Sequence, residues 1–387
     1  VEGSMNRKVI NNKEIIVNFA EHKNIFAMDK LVSCRKTTPV LAYFRMIIKK
    51  QTLKIIATNL EQTAIYTMPV VAEGKHDFLI KAQYLLNIIR NHKKEDIKIH
   101  PREEVIVFMV GSMTYTYEKE LSLGIARFPS LPKISKPLKR TKVNYKEFRN
   151  SIGCAIKYTS KEIGRPIFRG IYFNYNNGKQ YIVATDGKKV YEEKLEHGID
   201  KSMNEVIISK EAIDKFLRFK KLCSEMYLYK ENDWIVMKAG CLTMVISSIY
   251  GKYPQYRKAF IFKDEDLYTN FKFKKSLYMG SSKALVGFVS QNTSRVEHRY
   301  SKNLLSLSAK ILGESNVECV IGIDNDGEGV TKYAVNIHYF ILCLDTFEDD
   351  EEITMRISKI DRNGGYSIPL LFSSGNKRVL LMPLRLG

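Results

Sequence analysis

A long-period internal repeat constrains this 387-residue chain more than any other feature. The run Tyr181-Ile-Val-Ala-Thr-Asp-Gly-Lys-Lys-Val-Tyr191 is an apolar strand that ends in a turn triplet, Thr185-Asp186-Gly187. Asp and Gly tolerate the positive φ of a tight turn, so the stretch predicts a hairpin. The form returns at 53–61 and, more weakly, at 305–314. Aligned on Ala57, Ala184 and Ser308, the copies lie 127 and 124 residues apart. Three strand-to-helix entries, starting at Ile80, Ile208 and Val335, are spaced by 128 and 127. Two independent landmarks on one period argue for three copies of one domain. The period exceeds the roughly 20–50 residues of a solenoid repeat and fits a whole domain.

Within a copy the hydrophobic pattern predicts β-α-β-β-β used twice, an α+β class. In the first copy a strand at 15–19 leads into a helical pattern at 20–34. Strands follow at 40–48, 52–57 and 63–71, then a helix after Ile80, then strands at 97–100, 105–110 and 113–117. Proline-bearing connectors at 127–137 and 250–258 close the first two copies, with Pro129 and Pro254 125 residues apart. The expected domains are 5–134, 135–261 and 262–387. Val1-Glu-Gly-Ser4 reads as a cloning remnant before a start at Met5.

No catalytic constellation emerges. There is no P-loop, H-E-x-x-H, G-x-S-x-G or dinucleotide fingerprint, and the seven histidines are dispersed. Asp324-Asn-Asp-Gly-Glu-Gly329 lacks the spacing of a calcium loop and reads as a turn. The acidic block at 348–352 reads as a solvated loop, and Asp186 as a turn former. No enzyme activity, metal or cofactor is expected. Six cysteines (Cys34, Cys154, Cys223, Cys241, Cys319, Cys343) form no C-x-x-C pair and suggest free thiols in a reducing compartment. With no bilayer-length apolar run and no signal peptide, the expected location is the cytoplasm, away from membranes.

Charge points to a polyanionic partner. Sixty-two Lys and Arg against 42 Asp and Glu leave a formal net charge of +20, which favours nucleic acid. The cations fall on or beside the expected helices. They are Lys23, Lys30, Arg35, Lys81 and Arg90 in the first copy. The second copy has Lys146, Arg149, Lys157, Lys210, Lys215 and Arg218, and the third has Lys274 and Lys275. Basic helices in every copy suit a surface facing a phosphate backbone without base readout. The solvated faces of ordinary amphipathic helices give the same pattern.

Three such domains, the Ala-Thr-Asp-Gly turn at 184–187, the connector Tyr253-Pro-Gln-Tyr-Arg-Lys258 and the terminal Met382-Pro-Leu-Arg-Leu386 resemble the bacterial sliding clamps, the β subunits of DNA polymerase III. The resemblance runs from Met5 to Leu386. It implies the DNA-clamp fold, in which a head-to-tail homodimer closes a ring around duplex DNA. Sheets form the outside and helices line the hole. The implied partners are double-stranded DNA of any sequence, the polymerase III alpha subunit, the clamp loader and other clamp-binding proteins. A non-ring basic DNA-binding protein fits the charge, though not the triplication. The charge also fits a specialised or element-borne clamp, because typical clamps are acidic overall.

The resemblance further implies a peptide-binding cleft. Its residues carry over as Phe168, Gly170, Thr185, Gly187, Lys188, Lys189, Val190, Pro254, Lys258, Ala259, Asn336 and Tyr339. The run Leu380, Leu381, Met382, Pro383, Leu384, Arg385 and Leu386 closes it, although an ordinary core strand would look the same. Where the family commonly has His-Arg and Arg, this chain has Lys188-Lys189 and Lys258. Lysine lacks the planar fork of arginine, so peptide preference is expected to differ. All three lysines are expected at the rim, where they would favour acidic motifs. The implied subunit boundary joins Tyr115 and Tyr117 of an edge strand to Leu277, Phe288 and Val289 of the third domain.

Overall fold

In the computed structural model the described residues are 14–32, 37–120, 122–134, 140–262, 268–301, 303–311, 315–323, 331–358 and 368–384. Among them the order strand, helix, three strands recurs six times. The first half-repeat is β1 (Ile15–Asn18), a 3₁₀ segment (Lys23–Leu31), β2 (Tyr43–Lys49), β3 (Thr52–Thr58) and β4 (Gln62–Pro69), followed by the short β5 (Val71–Ala72). Its second half is β6 (His76–Lys81), α1 (Ala82–Asn91), β7 (Asp96–Pro101), β8 (Val105–Val110) and β9 (Met113–Glu118). The second repeat runs β10 (Lys142–Asn144), α2 (Tyr145–Ala155), β11 (Gly170–Asn176), β12 (Lys179–Thr185) and β13 (Lys189–Lys194). It continues with β14 (Val206–Ser209), α3 (Lys210–Phe216), β15 (Glu225–Glu231), β16 (Trp234–Ala239) and β17 (Leu242–Ser247). The third is β18 (Tyr268–Lys274), α4 (Lys275–Leu285), β19 (Arg295–Ser301), β20 (Leu304–Ile311) and β21 (Ser315–Gly322). It ends with β22 (Thr331–Asn336), α5 (Ile337–Leu344), β23 (Glu352–Ser358), β24 (Leu370–Ser374) and β25 (Lys377–Leu381).

The first helical pattern is wound more tightly than expected. Ile25, Met28 and Leu31 are all buried at a spacing of three, which matches the 3.0 residues per turn of a 3₁₀ helix. The other expected elements form with ends moved by a few residues.

Each repeat exchanges strands between its halves. The first strand of one half pairs with the second strand of the other: β1 with β7 and β6 with β2, β10 with β15 and β14 with β11, β18 with β23 and β22 with β19. The chain divides into two compact units. The first takes residues 1–145 and 211–248, and the second takes 146–210 and 249–387. In the first unit lie the sheets β5-β1-β7-β8-β9 and β10-β15-β16-β17-β4-β3-β2-β6. In the second lie β14-β11-β12-β13-β25-β24-β23-β18 and β21-β20-β19-β22. The units therefore cut through the second repeat, because each eight-stranded sheet continues from one repeat into the next. The expected boundary at 135 lies outside the described residues.

The two connectors dock alike. Phe128 is buried with Val40, Tyr43, Ile56 and Leu79 in the first unit. Tyr253 and Tyr256 are buried with Val183 and Ile207 in the second. Ile56 and Val183, Leu79 and Ile207, and Phe128 and Tyr253 are 127, 128 and 125 residues apart, so the cores keep the sequence period.

One buried group makes stability pH-dependent. His298 in β19 is fully buried, stacked at 4.9 Å on Tyr333 with the edge of Phe340 at 4.7 Å. Neither ring nitrogen has a hydrogen-bond partner, and burial lowers its pKa from 6.5 to about 3. As pH falls below 6.5 the unfolded chain takes up a proton that the folded chain refuses. Stability is therefore complete above that value and falls below it, by about 1.4 kcal/mol per pH unit until about pH 3. The urea midpoint should drop between pH 6.5 and 4.5, and the His298→Leu variant should show a shallower drop. Equal slopes in the two proteins would assign the effect to other groups.

Candidate peptide cleft and basic helices

The residues expected in the cleft centre on the hairpin turn. Thr185 Oγ1 donates to the Lys189 carbonyl at 2.7 Å and accepts from the Gly187 N–H at 3.0 Å. Asp186 Oδ1 accepts from the N–H groups of Lys188 and Lys189 at 2.9 and 3.0 Å. Gly187 sits at φ +89°, where a side chain would be strained. The turn is thus over-determined, which fixes where β13 begins.

Lys189 departs from expectation. Its side chain is buried with its ammonium on the Asp186 carboxylate, 4.8 Å from the Tyr339 ring centroid and 5.7 Å from that of Tyr158. A buried cation needs an anion and polarisable faces, and this one has both. It braces the turn against α5 and adds no charge to the rim. Lys188 and Lys258 are exposed.

The C-terminal run divides at Leu381. In β25, Leu380 pairs with Val190 and Leu381 with Lys189, and both leucines are buried core. They correct the expectation of a groove surface, because strands on both sides enclose them. Beyond them the chain turns outward. The Met382 N–H donates to the Lys188 carbonyl at 2.9 Å, and the Leu384 N–H donates to the Ala334 carbonyl of β22 at 2.7 Å. Met382 is 40% exposed, while Pro383 and Leu384 are half-buried. Arg385 and Leu386 lie outside the described residues.

Other expected residues act through the backbone. Asn336 caps α5: its Oδ1 accepts from the N–H groups of His338 and Tyr339 at 3.1 and 3.2 Å, which sets the half-buried Tyr339 beside the turn. Gly170 starts β11 where a Cβ would overlap Ile207 Cγ2 and stand 3.0 Å from the Ile208 carbonyl. Phe168 is half-buried within the 3₁₀ turn Pro166–Arg169.

The connector is held by its own aromatic side chains, Tyr253 and Tyr256 of the motif at 253–258 among them. Tyr253 stacks on Tyr172 with centroids 4.4 Å apart and planes 5° apart. Val190, Tyr181 and Phe260 pack on the same cluster. Arg257 lies 4.7 Å over Tyr181 and donates Nε–H to the Tyr256 hydroxyl at 3.1 Å. Arg378 lies 4.5 Å over Phe260 and donates Nε–H at 3.0 Å to the buried Glu192. Pinned this way, the connector leaves Pro254, Lys258 and Ala259 exposed. The density of tyrosines at 250–256 was the available sequence signal.

The cations of the basic helices differ in exposure and in ion pairing. Lys23, Lys30, Lys81, Arg90, Lys146, Arg218 and Lys274 are exposed, while Arg149 and Lys210 are half-buried. Lys215 is half-buried, and burial lowers its pKa. Lys157 pairs with Asp345 at 3.1 Å. Lys275 has a side chain only 12% exposed and pairs with Asp349 at 2.8 Å and Asp345 at 3.7 Å. Its charge is therefore neutralised within the fold and unavailable to a backbone phosphate. Helix α5 carries neither Lys nor Arg. Arg35 lies outside the described residues.

Strands β9 and β21 are among the end strands of the four open sheets in the described residues. Tyr117 packs at 4.9 Å on Tyr84 of α1, and Tyr115 accepts or donates at 2.8 Å with His92 Nε2. Both rings thus turn inward and leave the β9 backbone as the open feature. Leu277 and Phe288 are 36% and 42% exposed, but Val289 is buried at 9% and belongs to the core.

Residues 13–131 match the family described as DNA polymerase III beta subunit, N-terminal domain. The chain is 21% identical over 352 residues to the beta sliding clamp of Chlamydia muridarum, covering 90% of this chain and 92% of that one. It is 23% identical over 355 residues to the beta sliding clamp of Chlamydia pneumoniae, with the same coverage. Among solved structures, the Pseudomonas aeruginosa sliding clamp bound to griselimycin superposes with a TM-score of 0.86 at 17% identity, over 97% of this chain and 100% of that one. The polymerase beta subunit of Streptococcus pyogenes gives 0.85 at 15%, over 96% and 100%. The six-fold strand-and-helix unit is the sliding clamp fold. Over residues 13–131 the chain matches the N-terminal domain of that family, and over 90% of its length it is similar to bacterial beta sliding clamps.

Proposed function

We propose that this chain is the processivity factor of a DNA polymerase III-type replicase. Two copies close head to tail around duplex DNA, and the polymerase alpha subunit, the clamp loader and other clamp-binding proteins dock by short peptides in the cleft of Val190, Pro254, Tyr339 and Met382–Leu384. The observation that carries this reading is the six-fold unit with exposed cations on or beside its helices. A topological link needs only weak, sequence-blind phosphate contacts, and mobile surface lysines provide these. A head-to-tail interface that closes after two copies also satisfies unpaired edges such as β9 and β21, which would otherwise invite aggregation.

Light scattering should give wild type a mass twice that of its 44.7 kDa chain. Phe288→Asp should give a soluble monomer with an unchanged melting temperature, because Phe288 is exposed. Val289 is left intact, since its substitution would damage the core. A Phe288→Asp dimer would place the interface elsewhere, and a monomeric wild type that still confers processivity would overturn the ring.

A further inference from the structure

We propose that a second recognition pocket lies on the far flank of the connector, and that it takes an acidic extension of the peptides that anchor in the cleft. The inference rests on the cleft reading above. A concavity of 680 Å³ is lined by Tyr172 and Asn174 of β11, by Glu205, and by connector residues from Gly251 to Lys258. This is within the range of about 300–1,000 Å³ typical of ligand sites. It opens over β11 and the residue preceding β14, whereas Val190 belongs to β13 and Met382 follows β25, two and three strands along from β11 in the same sheet. Tyr253 and Tyr256 sit between the two places on Val183 and Ile207.

Three features favour an acidic peptide. Lys252, Arg257 and Lys258 line the pocket against a single carboxylate, Glu205. Lys252 and Lys258 are exposed and, among the described residues, make no ion pair, so they are open to an incoming anion. Arg257 Nη2 is buried with no hydrogen-bond partner. The stacked pair Tyr172 and Tyr253 gives a flat, rigid wall that costs little entropy to bind against. Pro254 and Lys258 also belong to the expected cleft wall, so a peptide seated there needs to cross only the connector.

The test uses a labelled hexapeptide with leucine and phenylalanine anchors, alone and with Asp-Asp-Glu added at either end. One extended form should bind about five-fold more tightly than the bare peptide at low salt. That gain should vanish in Lys252→Glu and at high salt, and grow in Glu205→Gln. Affinity for the bare peptide should be unchanged in Lys252→Glu. If the bare peptide binds but neither extension gains, or the gain survives Lys252→Glu, the pocket is not a site and the cleft stands. If the bare peptide does not bind wild type, cleft and pocket fall together.

Discussion

A chain ending at Leu381 should lose binding to partner peptides by at least thirty-fold per anchor while keeping its fold. The two outcomes separate because the C-terminal run has two physical characters. Leu380 and Leu381 are buried between neighbouring strands and must stay. Met382, Pro383 and Leu384 contribute surface, tied down by the hydrogen bonds to Lys188 and Ala334. Losing two such bonds costs about 1–3 kcal/mol of stability, within what a domain tolerates. An apolar anchor that loses its pocket costs about 2 kcal/mol or more, which is the thirty-fold. Fluorescence anisotropy with the labelled hexapeptide, beside light scattering and a melting curve, measures both. Undiminished affinity in the truncated chain would show that partners bind elsewhere.

Loaded onto closed circular DNA, the protein should stay bound for long periods and be lost rapidly once the circle is cut. Binding to a short linear duplex should be weak, indifferent to sequence and steeply reduced by salt. The reason is the kind of contact on offer. Lys23, Lys30, Lys81 and Arg90 are surface cations in the first repeat, and each can meet a phosphate without reading a base. With Lys157 and Lys275 engaged by carboxylates, the second and third repeats bring fewer unpaired charges than their sequences suggest. Retention must then come from closure. Gel filtration of labelled clamp on circular and linearised plasmid decides the matter, and equal retention on both would remove topology from the account.

The sequence made the period, the element order and the turn readable because each depends on neighbours in the chain. Asp186 and Gly187 specify their hairpin locally, and the half-repeats keep their hydrophobic rhythm. What stayed hidden depends on partners far away. Lys189 reads as a surface cation until Tyr158 and Tyr339 are seen around it. Lys157 meets its carboxylate 188 positions later, and Arg378 meets Glu192 across 186. Leu380 and Val289 look like possible surface anchors, since an apolar residue carries no mark of which side of a strand or turn will be covered. The strand exchange between halves left no local trace either.

The continuity of the eight-stranded sheets has a mechanical meaning. At β4–β17 and at β13–β25, strands from successive repeats are laced together over five residue pairs each. Such a junction behaves as a splice, not a hinge, and does not yield one bond at a time when bent. Force applied to either unit would therefore be shared across its eight-stranded sheet before one repeat parted from the next.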